Sequence, residues 1–332
     1  MAKVCFVVGH EDTPEAPSDT PEAYWRVYLP GQRFGTAAIL GRHGATQKAL
    51  QADVVWVHQP TCFAAASLVE VARQMEKPVV VDFLEDPWRR IEADRSYSDA
   101  RLDAMERALA AATVIAVASD GLVPIFEPYA PTMVVEPVVP LAGWVPAPPE
   151  QPPLIAWWSD GRQKSGFELV ADGLREVLVK TEARMAHIQF SHHTPLMRGV
   201  KDDEDRMARA RRLSAFFEDD RELSAEQNLN LFVKAFSGAT ISLECYAPGE
   251  YRDTVSDLPL LRAAALGIPS ITTRGYAPPG TISAQPLRWA DTILDVLGDS
   301  LQRRRLSEEA RAWAETRSSY KQYEAIIEEV LT

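Results

Sequence analysis

The sequence predicts an α/β protein with two domains, each built on a parallel β-sheet that helices cover on both faces. A chain of 332 residues is long for a single hydrophobic core. Short, continuous apolar runs alternate with helical periodicity along the chain, as expected of parallel strands that are buried on both faces. Residues 137–153, PVVPLAGWVPAPPEQPP, contain too much proline for a helix or a central strand. This segment therefore predicts a linker between two domains.

The part of the chain before this linker contains five predicted strands. Continuous apolar runs place them at residues 3–9, 53–58, 78–83, 113–118 and 133–136. Apolar residues at helical spacing predict helices at 67–75, 98–112 and 120–129. Residues 10–21 are acidic and rich in proline, which favours a loop, and residues 31–50 are predicted to form a helix or a loop.

The part of the chain after the linker repeats this alternation. Apolar or β-branched runs predict strands at 154–158, 186–190, 240–245 and 270–273. Helices are predicted at 166–180, 202–217, 229–236 and 257–266, and the chain beyond residue 287 is predicted to be helical. The helix at 257–266 is followed by Gly267, which suits a left-handed helix end, and by Pro269, which cannot continue a helix.

Composition and charge argue against several classes of protein. The net charge of −12 disfavours nucleic acid as the main partner, because phosphate contacts need clustered Lys and Arg. Cys5, Cys62 and Cys245 are far apart and odd in number, which suits reduced thiols better than a disulfide framework. No segment has the length of a membrane span, and the first apolar run is shorter than that of a signal peptide. We therefore expect a cytoplasmic protein.

Several short motifs follow one another in a characteristic order. They are YWRVYLP at 24–30, DFLEDPW at 82–88, VASDGL at 117–122, IAWWS at 155–159 and DLPLLRAAALGIPSITTRGY at 257–276. In this order the motifs resemble those of family 4 glycosyltransferases of bacterial and phage type. The resemblance implies the GT-B fold, in which two Rossmann-like α/β domains face a cleft.

The resemblance also implies how the chain is divided. Residues 1–145 would form an N-terminal, acceptor-binding Rossmann-like domain, and residues 146–310 a C-terminal, nucleotide-sugar-binding one. Residues 311–332 would form a C-terminal helix that packs back on the N-terminal domain.

The loop after the predicted strand at 154–158 is the first candidate for donor binding. Backbone N–H groups of this loop and the N-terminus of the next helix favour an anion, and Arg162 and Lys164 add positive charge. The resemblance implies that Ser159, Arg162 and Lys164 hold the diphosphate of a nucleotide-sugar. The alternative is an ordinary solvated turn that caps the helix.

A second donor contact is implied at Ser256, Asp257 and Leu258, which match the family's motif. Backbone N–H groups at these positions would bind phosphate. The same resemblance implies that the protein needs neither a cofactor nor a metal, since the nucleotide-sugar is a co-substrate.

The chain departs from the family where two glutamates, eight positions apart, hold the donor sugar and the nucleotide ribose. Thr254 and Arg262 stand at these positions, and Val255 and Pro259 replace two lysines. A carboxylate accepts hydrogen bonds from both ribose hydroxyls, whereas arginine can only donate. We therefore expect Arg262 to contribute to an anion site. Three interpretations stay open: a transferase with altered donor contacts, a degenerate fold used for binding, and a shifted alignment.

The acidic loop after the predicted strand at 78–83 is the candidate catalytic site. Asp82, Glu85 and Asp86 could orient an acceptor hydroxyl or receive its proton. The alternative is that these acids only cap a turn before Pro87. Arg26 and Tyr24 are expected on the acceptor side, although Arg26 could instead pair with the acidic loop.

The histidines do not predict a metal site. His58 is a lone histidine at a strand end and is expected to be a core or rim residue. His192 and His193 have no nearby Cys or Glu at the spacing of a zinc site. We therefore expect no bound metal.

These observations favour a glycosyltransferase that moves a sugar from a nucleotide-sugar donor to an acceptor, with retention of anomeric configuration and without a metal. The acceptor would be a glycan, a protein or a modified DNA base. One alternative is a non-catalytic carbohydrate- or nucleotide-binding protein on a degenerate GT-B fold, which Thr254 and Arg262 favour. Another is a sugar-nucleotide epimerase, which uses a similar two-domain fold.

Overall fold

A computed structural model describes most of the chain. The residues that it describes are 2–9, 23–42, 44–88, 99–158, 164–190, 219–223, 233, 236–249 and 254–332. The chain forms two compact units. The first comprises Met1–Val138, Asp253–Asp257 and Ser319–Thr332, and the second comprises Val139–Arg252 and Leu258–Ser318.

The first unit is built on a six-stranded parallel sheet in the order β2-β1-β3-β4-β5-β6. Its strands are β1 (Val4–Val8), β2 (Gly35–Ile39), β3 (Val54–His58), β4 (Val79–Phe83), β5 (Val114–Val117) and β6 (Thr132–Val134). Four of these strands are completely buried and apolar except for His58 and Asp82, which explains why the sequence predicts them well.

Strand β2 contradicts the prediction of a helix or loop over residues 31–50. Its sequence, GTAAI, has no continuous branched run, and its first two residues are exposed at the edge of the sheet. Gly35 starts it because a Cβ there would overlap the carbonyl oxygen of Val4 on the neighbouring strand. Because the residues of this edge strand are small, the apolar pattern of the sequence does not reveal it.

Helices cover both faces of this sheet. They are α1 (Leu29–Phe34), α2 (Ala45–Gln51), α3 (Phe63–Gln74), α4 (Asp99–Ala111) and α5 (Val123–Phe126), with a π-helical turn at Tyr24–Tyr28 and a 3₁₀ turn at Asp120–Leu122. Because side chains alternate along a strand, Val55 and Val57 pack against α3 and α4, whereas Trp56 packs on the opposite face.

The second unit has its own six-stranded parallel sheet in the order β12-β11-β10-β7-β8-β9. Its strands are β7 (Leu154–Trp158), β8 (Arg184–Phe190), β9 (Asp219–Leu223), β10 (Ile241–Glu244), β11 (Ser270–Thr272) and β12 (Thr281–Ser283). The two edge strands, DDREL and TIS, were not predicted, because neither has an apolar run. The helices predicted at 202–217 and 229–236 lie almost entirely outside the described residues.

The helices of the second unit are α6 (Lys164–Lys180), α7 (Leu258–Ala265), α8 (Trp289–Gly298) and α9 (Ser300–Arg317). Helix α7 ends as predicted, with Gly267 in the left-handed conformation at φ 66°. The guanidinium of Arg311 donates to the carbonyl oxygens of Ala265 and Trp144, which satisfies a backbone group at the end of α7.

The stretch predicted as one helix over 311–332 is interrupted between Arg317 and Lys321. Its last part, α10 (Lys321–Leu331), belongs to the first unit and packs on the face of the sheet that carries Trp56. The ring of Tyr323 stacks on Trp56 at 5.2 Å, and the backbone N–H of Glu136 donates to the side chain of Gln322 at 2.8 Å.

A search of the described residues for a membrane-crossing helix finds none with the necessary length and apolar character.

Candidate functional site

Both sheets have a point where the strand order reverses. From β1 the chain crosses to β2 on one side, and from β3 it crosses to β4 on the other. From β7 and β10 the chain likewise crosses in opposite directions, to β8 and to β11. In open parallel sheets, ligands bind beside the carboxyl ends of the strands at such a point. The carboxyl ends of β1 and β3, and of β7 and β10, are therefore the candidate sites.

A cluster of three charged or ionisable side chains lies at the carboxyl ends of β3 and β4. Arg26, His58 and Asp82 are completely buried. Nε of Arg26 donates to Oδ2 of Asp82 at 3.1 Å, and NH2 donates to the other carboxylate oxygen. Nδ1 of His58 lies 2.6 Å from Oδ2 of Asp82, and the two residues are paired across the sheet. NH1 of Arg26 donates to the carbonyl oxygen of Val135.

The π-helical turn explains how a full guanidinium enters this interior. Wider turns of this kind are common near functional sites. Here the turn buries three consecutive residues, Trp25, Arg26 and Val27. The guanidinium of Arg26 also faces the ring of Tyr323 on α10, with 5.9 Å from Cζ to the ring centroid.

The electrostatics of the cluster favour a permanent ion pair. Burial by itself would raise the pKa of Asp82, but Arg26 and then His58 outweigh it and lower the pKa of this carboxyl. Burial acts in the opposite sense on Arg26, and Asp82 outweighs it, so the pKa of Arg26 is raised. Both partners thus stay charged at neutral pH.

The structure brings Arg26 and Asp82 together, which is the pairing that the sequence offered as the alternative for Arg26. Both carboxylate oxygens of Asp82 are engaged, and its side chain has no exposed surface. In this arrangement Asp82 orients His58 and compensates Arg26.

Glu85 and Asp86 lie in the loop directly after β4 and are 5% and 6% exposed. Oδ1 of Asp86 accepts a hydrogen bond from the backbone N–H of Trp88 at 3.0 Å, which is a turn-forming contact. Both acids therefore lie near the edge of the sheet, in positions closer to solvent than Asp82.

Tyr24, expected on the acceptor side, is half-buried at the start of the π-helical turn. Its ring stacks on Tyr28 at 5.4 Å between centroids. Burial, together with Tyr28 and Tyr320, raises the pKa of Tyr24 to about 12. The phenol is therefore neutral at physiological pH and can donate a hydrogen bond.

In the second unit, the N-terminal turn of α6 lies against the backbone that follows β10. A Cβ at Gly166 would overlap the carbonyl oxygen of Cys245, so only glycine allows this approach. Lys164 is the first residue of α6, and Trp158, six positions earlier, is the last residue of β7. Ser159 and Arg162 lie outside the described residues. The strand order and Gly166 thus place a helix N-terminus, where anions bind, at the reversal point of this sheet.

The other predicted donor contacts are divided between the two units. Ser256 and Asp257 belong to a short segment of the first unit, and the hydroxyl of Ser119 there donates to the carbonyl oxygen of Thr254 at 2.7 Å. Leu258 begins α7 in the second unit. Arg262, one turn further along α7, is only 2% exposed.

A polar network at the carboxyl end of the second sheet was missed by sequence reasoning. Glu244 ends β10 beside Thr272 of β11 and is 2% exposed. Its carboxylate accepts from the hydroxyl of Tyr246 at 3.0 Å and from that of Thr272 at 3.5 Å. The backbone N–H of Arg274, a residue that is 9% exposed, donates to the hydroxyl of Thr272 at 3.1 Å. The signal was an acidic residue within the apolar run ISLEC, which marks a buried charge in need of partners.

Sequence reasoning also gave no role to His58, because a single histidine at a strand end has no local signature. In the structure its partner Asp82 comes from a neighbouring strand. Among the described residues, no group of three or more His, Cys, Asp or Glu side chains is arranged to hold a metal ion.

No family model matches the sequence, and no curated protein matches it. Solved structures are similar to it in fold. The UDP-forming α,α-trehalose-phosphate synthase of Burkholderia xenovorans is 10% identical, with a TM-score of 0.60 over 100% of this chain and 99% of that one. AviGT4, a glycosyltransferase involved in avilamycin A biosynthesis, is 12% identical, with a TM-score of 0.58 over 99% and 97%.

TarM of S. aureus, in a complex that contains UDP, is 9% identical, with a TM-score of 0.53 over 84% of this chain and 55% of that one. The chain thus spans about half the length of TarM and nearly all of the other two proteins. These similarities and the two parallel sheets confirm the predicted fold, which is GT-B with two Rossmann-like domains.

Proposed function

We propose that this protein is a glycosyltransferase that transfers a sugar from a nucleotide-sugar donor, as its resemblance to family 4 implies. The observation that carries the proposal is the reversal point of the second sheet. There the N-terminus of α6 approaches the backbone after β10 so closely that Gly166 is required. A helix N-terminus presented at this point suits a diphosphate.

The donor would bind to the second unit. Its diphosphate would lie at the N-terminus of α6, with Ser159, Arg162 and Lys164 as ligands. Leu258, which begins α7 in this unit, would add a further backbone contact. Arg262, which can only donate hydrogen bonds, would bind phosphate rather than the ribose hydroxyls.

The acceptor would bind to the first unit. Of the three acids, Glu85 and Asp86 are the groups that would contact an acceptor hydroxyl, since Asp82 is engaged by Arg26 and His58. Asp82 and Arg26 would then position these groups, and Tyr24 would donate to the acceptor. We propose transfer with retention of configuration and without a metal.

A thermal-shift screen against nucleotide-sugars tests this proposal directly. A ligand present at 100 times its Kd stabilises the folded protein by about 2.7 kcal/mol, which is easily measured. We expect at least one nucleotide-sugar to raise the melting temperature, and a protein unaffected by all of them would contradict the proposal.

The contribution of Lys164 can be isolated with a matched control from the same helix. Lys164→Ala should weaken binding of the best nucleotide-sugar by about ten- to a hundredfold, because a charge-assisted hydrogen bond to phosphate is worth about 1.5–3 kcal/mol. Lys180→Ala, at the other end of α6 and paired on the surface with Glu176, should leave binding unchanged. Calorimetry measures both affinities. A loss of unliganded stability in Lys164→Ala that matches its loss of binding would indicate a structural ion pair instead.

Thr254 and Arg262 favour a second candidate function, a binding protein that has lost catalysis. The transferase and the binding protein differ in whether they cleave the bound donor. A transferase should release free sugar slowly from the bound donor when water replaces the acceptor, whereas a binding protein should leave the donor intact.

A further inference from the structure

The backbone of Gln59, the residue directly after β3, has a left-handed conformation with a φ of 49°. Among the described residues, Glu76 is the only other non-glycine residue with a positive φ. Glu76 follows the end of α3, where its N–H donates to Arg73 and the next N–H donates to Ala72, as in an ordinary helix end. Gln59 follows a strand and has no helix end to cap. Its strained backbone is therefore of the kind that proteins retain at ligand sites.

The side chain of Gln59 is also unusual. It is only 7% exposed, and its amide forms no hydrogen bond within the described part of the chain. Next to it, Nε2 of His58 is buried and has no hydrogen-bond partner there either, while Nδ1 is held by Asp82. Buried polar groups normally have partners, since leaving them without one destabilises the fold. Of these two groups, the Gln59 amide is the one that a ligand can reach, because the side chain of His58 has no exposed surface.

These two residues lie at the reversal point of the first sheet. The N–H of Gly9, after β1, donates to the carbonyl oxygen of His58 at 2.8 Å, and the N–H of Thr61 donates to Gly9 at 3.1 Å. A Cβ at Gly9 would lie 3.0 Å from Cα of Pro60, so glycine allows the two segments to approach. Gln59 is therefore fixed at the edge where an open parallel sheet binds its ligand.

The charges at this edge indicate which ligand fits. Arg26 is committed to Asp82 and Val135. In the described residues at the carboxyl ends of β1, β3 and β4, no other Lys or Arg is present, whereas Glu85 and Asp86 are. An amide donates and accepts, and a carboxylate accepts, which together suit the hydroxyl groups of a sugar.

We propose that Gln59 is a specificity-determining residue that hydrogen-bonds a hydroxyl of the acceptor sugar at the reversal point of the first sheet. The proposal rests on the proposed transferase function and adds the chemistry of the acceptor, a neutral sugar. The strained backbone fixes where the Gln59 side chain leaves the end of β3, and the bound hydroxyl supplies the partner that the amide lacks.

The test compares Gln59→Asn with Glu76→Asn in the full chain. Asparagine tolerates a left-handed backbone better than other non-glycine residues, so neither variant should lower the melting temperature. At position 59 the asparagine side chain is one methylene shorter, so its amide should no longer reach the sugar hydroxyl. Saturation-transfer NMR with free hexoses and N-acetylhexosamines should show binding to the wild type and to Glu76→Asn. Binding to Gln59→Asn should be about tenfold weaker, which corresponds to about 1.4 kcal/mol.

Gln59→Met keeps the length of the side chain without the amide and should lose sugar binding to the same extent. Equal binding by the wild type and both Gln59 variants would overturn the proposal, as would an absence of binding to the wild type. A parallel loss of sugar binding and melting temperature in both variants would also overturn it, because Gln59 would then be structural.

Calorimetry with nucleotide-sugars separates the two proposals. Donor binding that persists while the sugar result fails leaves the transferase function standing and refutes the role of Gln59. Sugar binding that depends on Gln59 without any donor binding refutes the transferase function, and with it the assignment of the sugar as an acceptor.

Discussion

Among the individual residues, Asp82 shows how surroundings decide what a charged group does. Its sequence motif suggests a catalytic acid or base, yet in the fold it lies within the sheet and pairs with Arg26 and His58. Removing one partner of a buried pair leaves the other charge without compensation, which costs far more than the pair itself contributes.

Arg26→Met is therefore expected to destabilise the protein by about 3–5 kcal/mol, because Asp82 would be left buried without its cation. Arg33→Met is the control, since Arg33 pairs with Glu324 on the surface at 3.9 Å and should contribute almost nothing. Chemical denaturation measures both changes. Similar stabilities for the two variants would show that the buried pair is not important to the fold.

The same cluster makes stability depend on pH in the acid range. The pKa of Asp82 is lower in the folded state than in the unfolded chain, where it is about 3.9. Its contribution is therefore complete above that value and is lost as pH falls through the lower, folded-state pKa. The unfolding free energy of Asp82→Asn should fall less steeply than that of the wild type below about pH 4. Equal slopes in denaturation at several acid pH values would contradict this assignment.

Among the elements, α6 and β10 show how one glycine positions a helix. Because Gly166 has no side chain, the first turn of α6 can touch the backbone at Cys245. The sequence shows the strand, the following glycine and the helix, but not the backbone segment that the helix meets, which comes from a strand about 80 residues later.

Gly166→Ala should separate α6 from that backbone and destabilise the protein by about 1–3 kcal/mol, the usual cost of overpacking. It should also weaken nucleotide-sugar binding, since the helix N-terminus would shift. Gly298→Ala, in α8, has open space around its added methyl group and should be neutral or stabilising. Thermal melts and calorimetry test both variants, and a Gly166→Ala protein that melts and binds as the wild type does would refute the close contact.

In the molecule as a whole, the first unit is completed by the end of the chain. Tyr323, Ile326 and Ile327 of α10 are buried against the face of the sheet that carries Phe6 and Trp56. Full burial of such side chains contributes about 1.5–3 kcal/mol each, so α10 stabilises the first unit substantially.

Deleting residues 319–332 should expose this apolar face. We expect strong binding of the dye ANS and a red-shifted tryptophan fluorescence, because Trp56 would lose the ring of Tyr323. Removing only Thr332, which lies after the end of α10, serves as the control. A truncated protein that melts cooperatively without binding the dye would show that the first unit does not need α10.

The sequence predicts this fold well wherever a strand is buried on both faces. Runs such as VVWVH and LIAWW are too short and too rich in apolar residues to indicate anything but a buried strand. Gly267 and Pro269 predict where α7 ends. The edge strands β2, β9 and β12 escape prediction because backbone pairing, not an apolar run, defines them. The site is less predictable, since His58 and Glu244 gain their partners across the sheet from other strands. Gln59 carries no sequence signal, because a strained backbone conformation has no residue pattern.

The return of α10 to the first unit also matters while the chain is being synthesised. Residues up to 138 leave the ribosome before the helix that covers Trp56, which follows roughly 190 residues later. At 5–20 residues per second this interval is about 10 to 40 s. We expect the nascent chain to expose the apolar face that carries Phe6 and Trp56 throughout that time, and this face would bind chaperones or promote aggregation. Recovery of the native protein in cells should therefore depend on chaperone supply and on translation speed between residues 139 and 318.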